Sequence, residues 1–421
     1  MAATAPAPTA SISYADLYAR WERGHWRATE IDLTQDAIDW REKLTEEQRR
    51  AALWLYSLFF HGEDKVADDL SPYVDAAPLE EQTYFLTTQQ VDEARHAVFF
   101  NRFVHEVAGR GDGTAGGGLR ATEGQLTWGH RMLFDRLDRM AGELRADRSP
   151  VQLAKAVTLY HVVVEASLAQ PGQHAIEEAL ERHDVLPGFR EGMRHIAQDE
   201  QRHIGFGVKL LADLLAEHGD PVQEAIVEVL RESLPWTLAV ADPPGRDRSY
   251  FTAWGMDEHD LAEAGALSLE QKLRAIGLPV DRLPRFPMDM SVSPRERGIR
   301  GHAMLQANLV GDGGPVVHDP QAIAWWFDGM ARQADASRVR PGTTIAWDLT
   351  DAEPWHLVLA EAGSVVRQGA APDADLRLRT SLQDLVDLSN GRADARALLL
   401  RRRLRPKGDL RLLARLPAVL G

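Results

Sequence analysis

The chain has 421 residues, 44% of them apolar, enough for one large core or two ordinary domains and unlike the polar composition of disordered chains. Its 63 acidic side chains against 48 basic ones, a formal charge of −15, argue against nucleic acid as the main partner, because phosphate binding is driven by Lys and Arg. The absence of cysteine excludes disulfides, thiolate metal sites and a cysteine nucleophile.

In chain order, residues 1–15 read as a disordered tail. The Ala/Pro/Thr-rich start has neither the basic nor the apolar region of a signal peptide. No run of ~18 apolar residues occurs, so no membrane span is expected, and a soluble cytoplasmic protein is. From about 28 to 235 apolar residues recur with a helical period. Thr45-Glu46-Glu47-Gln48 fits a capping box and opens a helix whose stripe runs through Tyr56, Phe60, Glu63, Ala67 and Leu70 to an end at Pro72. A second helix is predicted over 79–107, and 109–118, with six glycines, reads as a loop. Further helices are predicted at 123–145, 150–180 and 188–218. Residues 240–315 are mixed, with one helix near 268–276 and a Gly-rich linker at 311–314. A helix over 320–335 then precedes alternating runs at 344–349, 355–359, 364–367 and 376–379, followed by helical patterns at 381–389 and 408–416. The expectation is a mainly α chain: a helical bundle over 16–300, a linker over 301–317 and a compact α+β module over 318–421.

Two segments carry the chemistry. Asp92-Glu93-Ala94-Arg95-His96 and Asp199-Glu200-Gln201-Arg202-His203 share the form Asp-Glu-x-Arg-His. Residues three apart on a helix share a face, so each motif presents one carboxylate and one imidazole together. The stripes Phe85, Gln89, Glu93, His96, Phe100, Phe103 and Ile196, Glu200, His203, Gly207, Leu210 put those groups where core residues belong. Glu63 and Glu165 likewise interrupt apolar runs. Burying one unpaired carboxylate is very costly, and four in one bundle require compensating cations. The set matches the known arrangement of ferritin-like dimetal proteins: one Glu from each of two helices and Glu-x-x-His from each of two others. Oxygen and nitrogen donors without thiolate suit iron or manganese, as Mn/Fe or Fe/Fe.

These residues resemble the small subunit of class I ribonucleotide reductase, and the likeness begins at His25-Trp26-Arg27-Ala28-Thr29-Glu30-Ile31-Asp32-Leu33 with Asp36 and Trp40. The resemblance implies that Glu63, Glu93, His96, Glu165, Glu200 and His203 are metal ligands. It makes Asp199 a partner of a ligand histidine and Trp26 the tryptophan near the site, on an electron route. The reductase's radical tyrosine would lie four residues after His96, where this chain has Phe100. Val66, three residues after Glu63, and Tyr160, five before Glu165, resemble instead a sister group of ligand-binding oxidases. That likeness implies a Val66–Tyr160 ether crosslink, a Mn/Fe cofactor and a nearby long-chain fatty acid. A regular helical wheel does not place Tyr160 on the Glu165 face, whereas a π-bulge would. Phe60, Phe99, Phe100 and Phe103 are expected to line the substrate pocket.

The run from Ala374 through Leu385, then Asn390-Gly391 and Leu404 through Leu410, resembles a sterol-carrier-protein (type two) domain, whose sheet and helices enclose an apolar tunnel. Arg401-Arg402-Arg403 reads as a solvated turn beside an amphipathic helix. Together the readings favour a dimetal oxidase or oxygenase that uses O2 on an apolar, long-chain ligand, with an electron donor and a homodimeric state expected. A radical-generating reductase subunit and a non-catalytic lipid- or metal-binding protein are the alternatives; the first predicts a larger partner protein, and the second no oxygen consumption on reduction.

Overall fold

The computed structural model describes residues 12–279, 282–284 and 288–420. The expected tail thus lies mostly outside the described residues, and Ser13 already caps the first helix through the Asp16 amide. Helices α1 (Tyr14–Arg23), α2 (Thr34–Glu42), α3 (Glu46–Asp69), α4 (Ser71–Ala76), α5 (Glu80–Arg102), α6 (Ala115–Thr122), α7 (Trp128–Ala146) and α8 (Pro150–Val157) come first. The chain after α8 winds as a π-helix over Thr158–Ala169 and returns to α in α9 (Gln170–His183). Then follow α10 (Pro187–His218), α11 (Asp220–Val240), α12 (Ser249–Thr252), α13 (Glu258–Ile276), α14 (Pro294–Gln306) and α15 (Pro320–Gln333). Strands β1 (Thr344–Leu349), β2 (Trp355–Val358), β3 (Val365–Gln368) and β4 (Leu376–Thr380) precede α16 (Leu382–Ser389), α17 (Ala395–Leu400), β5 (Arg405–Gly408) and α18 (Leu410–Leu420). No helix among the described residues is long and apolar enough to cross a membrane.

The chain forms two compact units: Met1–Ser233 with Val240–Arg282, and Leu234–Ala239 with Leu283–Gly421. In the first, α3, α5, the π-wound segment and α10 make the inner bundle. Thr45 and Gln48 start α3 with the reciprocal capping bonds its sequence signals, at 3.2 and 3.0 Å. The start of α10 is capped from elsewhere. Buried Asp36 of α2 accepts from the Gly188 and Phe189 amides at 2.9 and 2.7 Å, satisfying donors that a helix N-terminus leaves open. Leu186, just before it, takes a left-handed conformation (φ 51°), which Asp39 supports by accepting from its amide.

Three expectations need correction here. The glycine segment is only partly a loop: α6 begins within it, capped by Thr114. Gly117 and Gly118 are there for close packing, since added Cβ atoms would lie 1.8 Å from Asp112 Oδ1 and 2.3 Å from Asn101 Oδ1. Second, the helix expected at 268–276 starts ten residues earlier, capped by Asp257. Third, α14 was not foreseen. It belongs with the second unit, where Met304, Ala307 and Leu309 join the core, so the expected linker is packed against the module instead of hanging free. Arg392 and Asn390 pin it by donating to the Gly311 and Leu309 carbonyls, at 2.8 and 2.9 Å.

The second unit is a five-stranded sheet in the order β3-β2-β1-β4-β5, with β1 and β4 parallel and the other neighbours antiparallel. Ile345, Trp347, Trp355, Leu357, Leu376 and Leu378 line one face, and α15, α16 and α18 contribute Phe327, Leu385 and Leu412 to the same core. Strand β5 escaped the sequence reading because Arg405-Pro406-Lys407-Gly408 has no apolar alternation; at a sheet edge the proline is tolerated.

Candidate metal centre

The inner bundle brings the six ligand-type side chains together. Glu63 comes from α3, Glu93 and His96 from α5, Glu165 from the π-wound segment, and Glu200 and His203 from α10; all six are buried. They form two groups, Glu63/Glu93/His96/Glu200 and Glu93/Glu165/His203, each with donor atoms close enough to hold one ion. Glu93 belongs to both groups, and Glu200 of the first also reaches toward the second. Glu93 places Oε2 3.4 Å from His96 Nδ1 and Oε1 3.1 Å from His203 Nδ1. Glu200 does the same more loosely, with Oε1 3.7 Å from His96 Nδ1 and Oε2 3.9 Å from His203 Nδ1. Glu63 lies 3.2 Å from His96 Nδ1 alone, and Glu165 3.6 Å from His203 Nδ1 alone.

Both imidazoles turn Nδ1 to this cluster and are held from behind at Nε2. The duplicated motif makes the holding reciprocal. His96 Nε2 pairs with Asp199 Oδ2 of the second motif, and His203 Nε2 with Asp92 Oδ2 of the first, each at 3.1 Å. Arg95 and Arg202 each pair with both aspartates. Trp26 Nε1 donates to Asp199 and Trp21 Nε1 to Asp92, both at 2.8 Å. Carboxylates behind ligand histidines fix the tautomer and orientation of the ring. Asp92, Arg95, Arg202 and Trp21 received no role from the sequence, although the motif repeat itself marks Asp92 as the counterpart of Asp199.

The electrostatics are those of a site built for cations. Burial pushes Glu63 up to about 8 against the pull of His96, and Glu165 up to about 7 against His203. Glu200 is raised well above the carboxylate range by burial and by the Glu165 and Glu93 charges. Glu93 ends well below that range because the two histidines outweigh its burial. Burial alone would lower His96 and His203, but the surrounding carboxylates raise both well above their ordinary value. Glu165 Oε2, Glu200 Oε2 and His203 Nδ1 are buried without a hydrogen-bond partner. Such orphaned atoms call for a bound species. A pair of oxygen- and nitrogen-seeking metal ions fits this donor set.

Tyr160 reaches the cluster because the helix is π-wound. Five residues on an α-helix are separated by roughly 140°. The wider π turn brings Tyr160 onto the Glu165 side, as the bulge alternative required. Tyr160 Oη donates to Glu93 Oε1 at 2.6 Å. Gln89 donates to Tyr160 Oη at 3.0 Å and to Glu165 Oε1 at 2.9 Å, and its own carbonyl meets His161 Nε2 at 3.2 Å. Gly207, one turn after His203, makes room for His161: an added Cβ would lie 2.2 Å from His161 Cβ. Val66 is buried on α3, on the face of Glu63. Of the four phenylalanines, Phe99, Phe100 and Phe103 pack around Phe189, with ring centroids 5.4, 5.9 and 4.4 Å away. Phe60 instead lies against α6, 3.1 Å from the Cβ position of Gly118.

Residues 10–236 match the family model described as ribonucleotide reductase, small chain, and residues 330–421 match that of the SCP-2 sterol transfer family. Among solved structures, an R2-like ligand-binding oxidase from Sulfolobus acidocaldarius is 26% identical, with a TM-score of 0.54 over 67% of this chain and 93% of that one. A variant R2-like ligand-binding oxidase with an anaerobically reconstituted Mn/Fe cofactor is 25% identical, with a TM-score of 0.54 over 63% and 93% of the two chains.

Proposed function

The chain belongs to the ribonucleotide reductase small-chain family, and we propose that within it this protein is a dimetal oxidase that uses O2 on an apolar, long-chain ligand. The observation that carries the reading is the pair of buried donor groups joined by Glu93, with the Tyr160 hydroxyl on that shared carboxylate. Glu63, Glu93, His96, Glu165, Glu200 and His203 would hold the ions, as Mn/Fe or Fe/Fe. When bound, such a pair supplies the electrons and Lewis acidity for dioxygen chemistry. The protein's part is orientation and exclusion. Asp92 and Asp199 fix the imidazoles, Glu93 takes the Tyr160 proton as a hydrogen bond, and the aromatic rings around Phe189 keep water from one side. Trp26, bonded to Asp199 behind His96 and stacked on His195 at 5.1 Å, offers an electron route to the centre. Phe100 at the place of the reductase's radical tyrosine favours the oxidase over a radical-storing subunit. The match of the second unit to a sterol transfer family supports an apolar ligand.

Aerobic assembly with manganese and iron, followed by elemental analysis and peptide mass spectrometry, tests this. The expected result is two metal ions per chain and a Val66–Tyr160 peptide lighter by two hydrogens. Metal content that is unchanged in Glu93→Ala would refute the dimetal site, and O2-independent assembly without the crosslink would refute the oxidase.

A further inference from the structure

Gln89 is wholly buried on α5, one turn before Glu93, and carries more hydrogen bonds than its place in an apolar stripe requires. Its amide nitrogen lies 3.0 Å from Tyr160 Oη and 2.9 Å from Glu165 Oε1, and its amide oxygen lies 3.2 Å from His161 Nε2. Which end of a buried amide points where follows from its partners. Turned end for end, the oxygen would face the Glu165 carboxylate and a hydroxyl whose single hydrogen already goes to Glu93 Oε1, at 2.6 Å. One arrangement gives every contact a proton. His161 Nε2 donates to the Gln89 carbonyl, the two amide hydrogens go to Tyr160 Oη and Glu165 Oε1, and the phenol hydrogen goes to Glu93.

A phenol keeps its proton at neutral pH, so what the surroundings set is the direction of its hydrogen bond. Two carboxylates compete for it. Glu165 interacts with the Tyr160 hydroxyl as Glu93 does, but Gln89 occupies Glu165 Oε1 with one hydrogen and a lone pair of Oη with the other. The acceptor left to the hydroxyl is Glu93, which belongs to both donor groups where Glu165 belongs to one. Packing does not account for this choice. A leucine or methionine would fill the space of Gln89 without a buried amide whose hydration is lost and whose hydrogen bonds must all be replaced.

We propose that Gln89 is a positioning residue for Tyr160: it withholds Glu165 and turns the phenol O–H to Glu93, the carboxylate that two bound ions would share. Its use in the reaction rests on the dimetal reading, whereas the direction of the bond is a property of the chain alone. The tyrosine C–O stretch reports whether a phenol oxygen donates, accepts or does both. Infrared spectra with tyrosine 13C-labelled at Cζ, after subtraction of Tyr160→Phe, isolate this one among seven tyrosines. In the full chain with metal removed by chelation, Glu93→Gln should shift the Tyr160 band and Glu165→Gln should leave it in place. In a Gln89→Met background the two should exchange, Glu165→Gln shifting the band and Glu93→Gln leaving it in place. Gln89→Leu serves if the methionine variant fails to fold. A wild-type band insensitive to Glu93→Gln, or sensitivities that do not exchange when Gln89 is replaced, would overturn the proposal. Metal uptake by the wild-type chain is measured alongside: a chain that binds no ions sinks the dimetal reading and leaves the infrared comparison to decide the direction of the bond.

Discussion

Asp199 Oδ2 lies 3.1 Å from Nε2 of His96, a histidine of the other motif copy, and Asp92 stands in the same relation to His203. Each copy of Asp-Glu-x-Arg-His therefore supplies donors to the cluster and the support for its partner's imidazole.

With metal ions in the cluster, this crossing would make the aspartates determinants of their affinity. Asp199→Asn and Asp92→Asn should each weaken metal binding about 10–100-fold, measured by chelator competition. They should also destabilise the apoprotein, because Arg95 and Arg202 are buried against both carboxylates and would lose part of their compensation. Unchanged affinity in both variants would show that the imidazoles are held by something else.

The apoprotein should lose stability as pH rises from about 5 to 8. Folded Glu63 keeps its proton to about 8, against 4.5 for the free group, so across that interval the folded state binds more protons than the unfolded one. Glu165 and Glu200, also raised by burial, act in the same direction. So do His96 and His203, whose contribution is full below the ordinary histidine range and lost at higher pH. Metal bound there would replace those protons, so loading near neutral pH should release them and flatten the dependence. Thermal melts of apo and loaded protein, and calorimetry in buffers of different ionisation enthalpy, read both effects.

Gly207→Ala should destabilise the protein by about 1–3 kcal/mol, because the new methyl overlaps His161 in a closed core. Gly142→Ala on α7, where an added Cβ meets nothing, is the control and should stabilise by about 0.5–1 kcal/mol. Urea midpoints of the two variants should move in opposite directions.

Much of this was legible before any coordinates. The Thr45 cap, the buried stripes bearing Glu93 and Glu200, and the four strands from Thr344 to Thr380 follow from local chemistry and period. What escaped depends on contacts distant in sequence. Trp21 matters only because α1 lies behind the cluster, which no local pattern announces; the motif repeat does mark Asp92, but its partner His203 is known only once α5 faces α10. The π winding of Thr158–Ala169 is invisible to a rule that assumes 3.6 residues per turn, so Tyr160 gained its place only once the backbone was known. Gly117 and Gly118 were mistaken for loop residues because sequence alone does not distinguish a glycine that frees the chain from one that vacates space.

Glu93 and Glu200 each turn one oxygen toward either histidine. Were each half to hold an ion, occupancy of one would thereby be tied to occupancy of the other. An ion entering beside His96 would draw both carboxylates into the geometry its neighbour requires, so the second ion would arrive at a vestibule already arranged. Titration with a single metal should then climb steeply, with half-filled molecules scarce at every point.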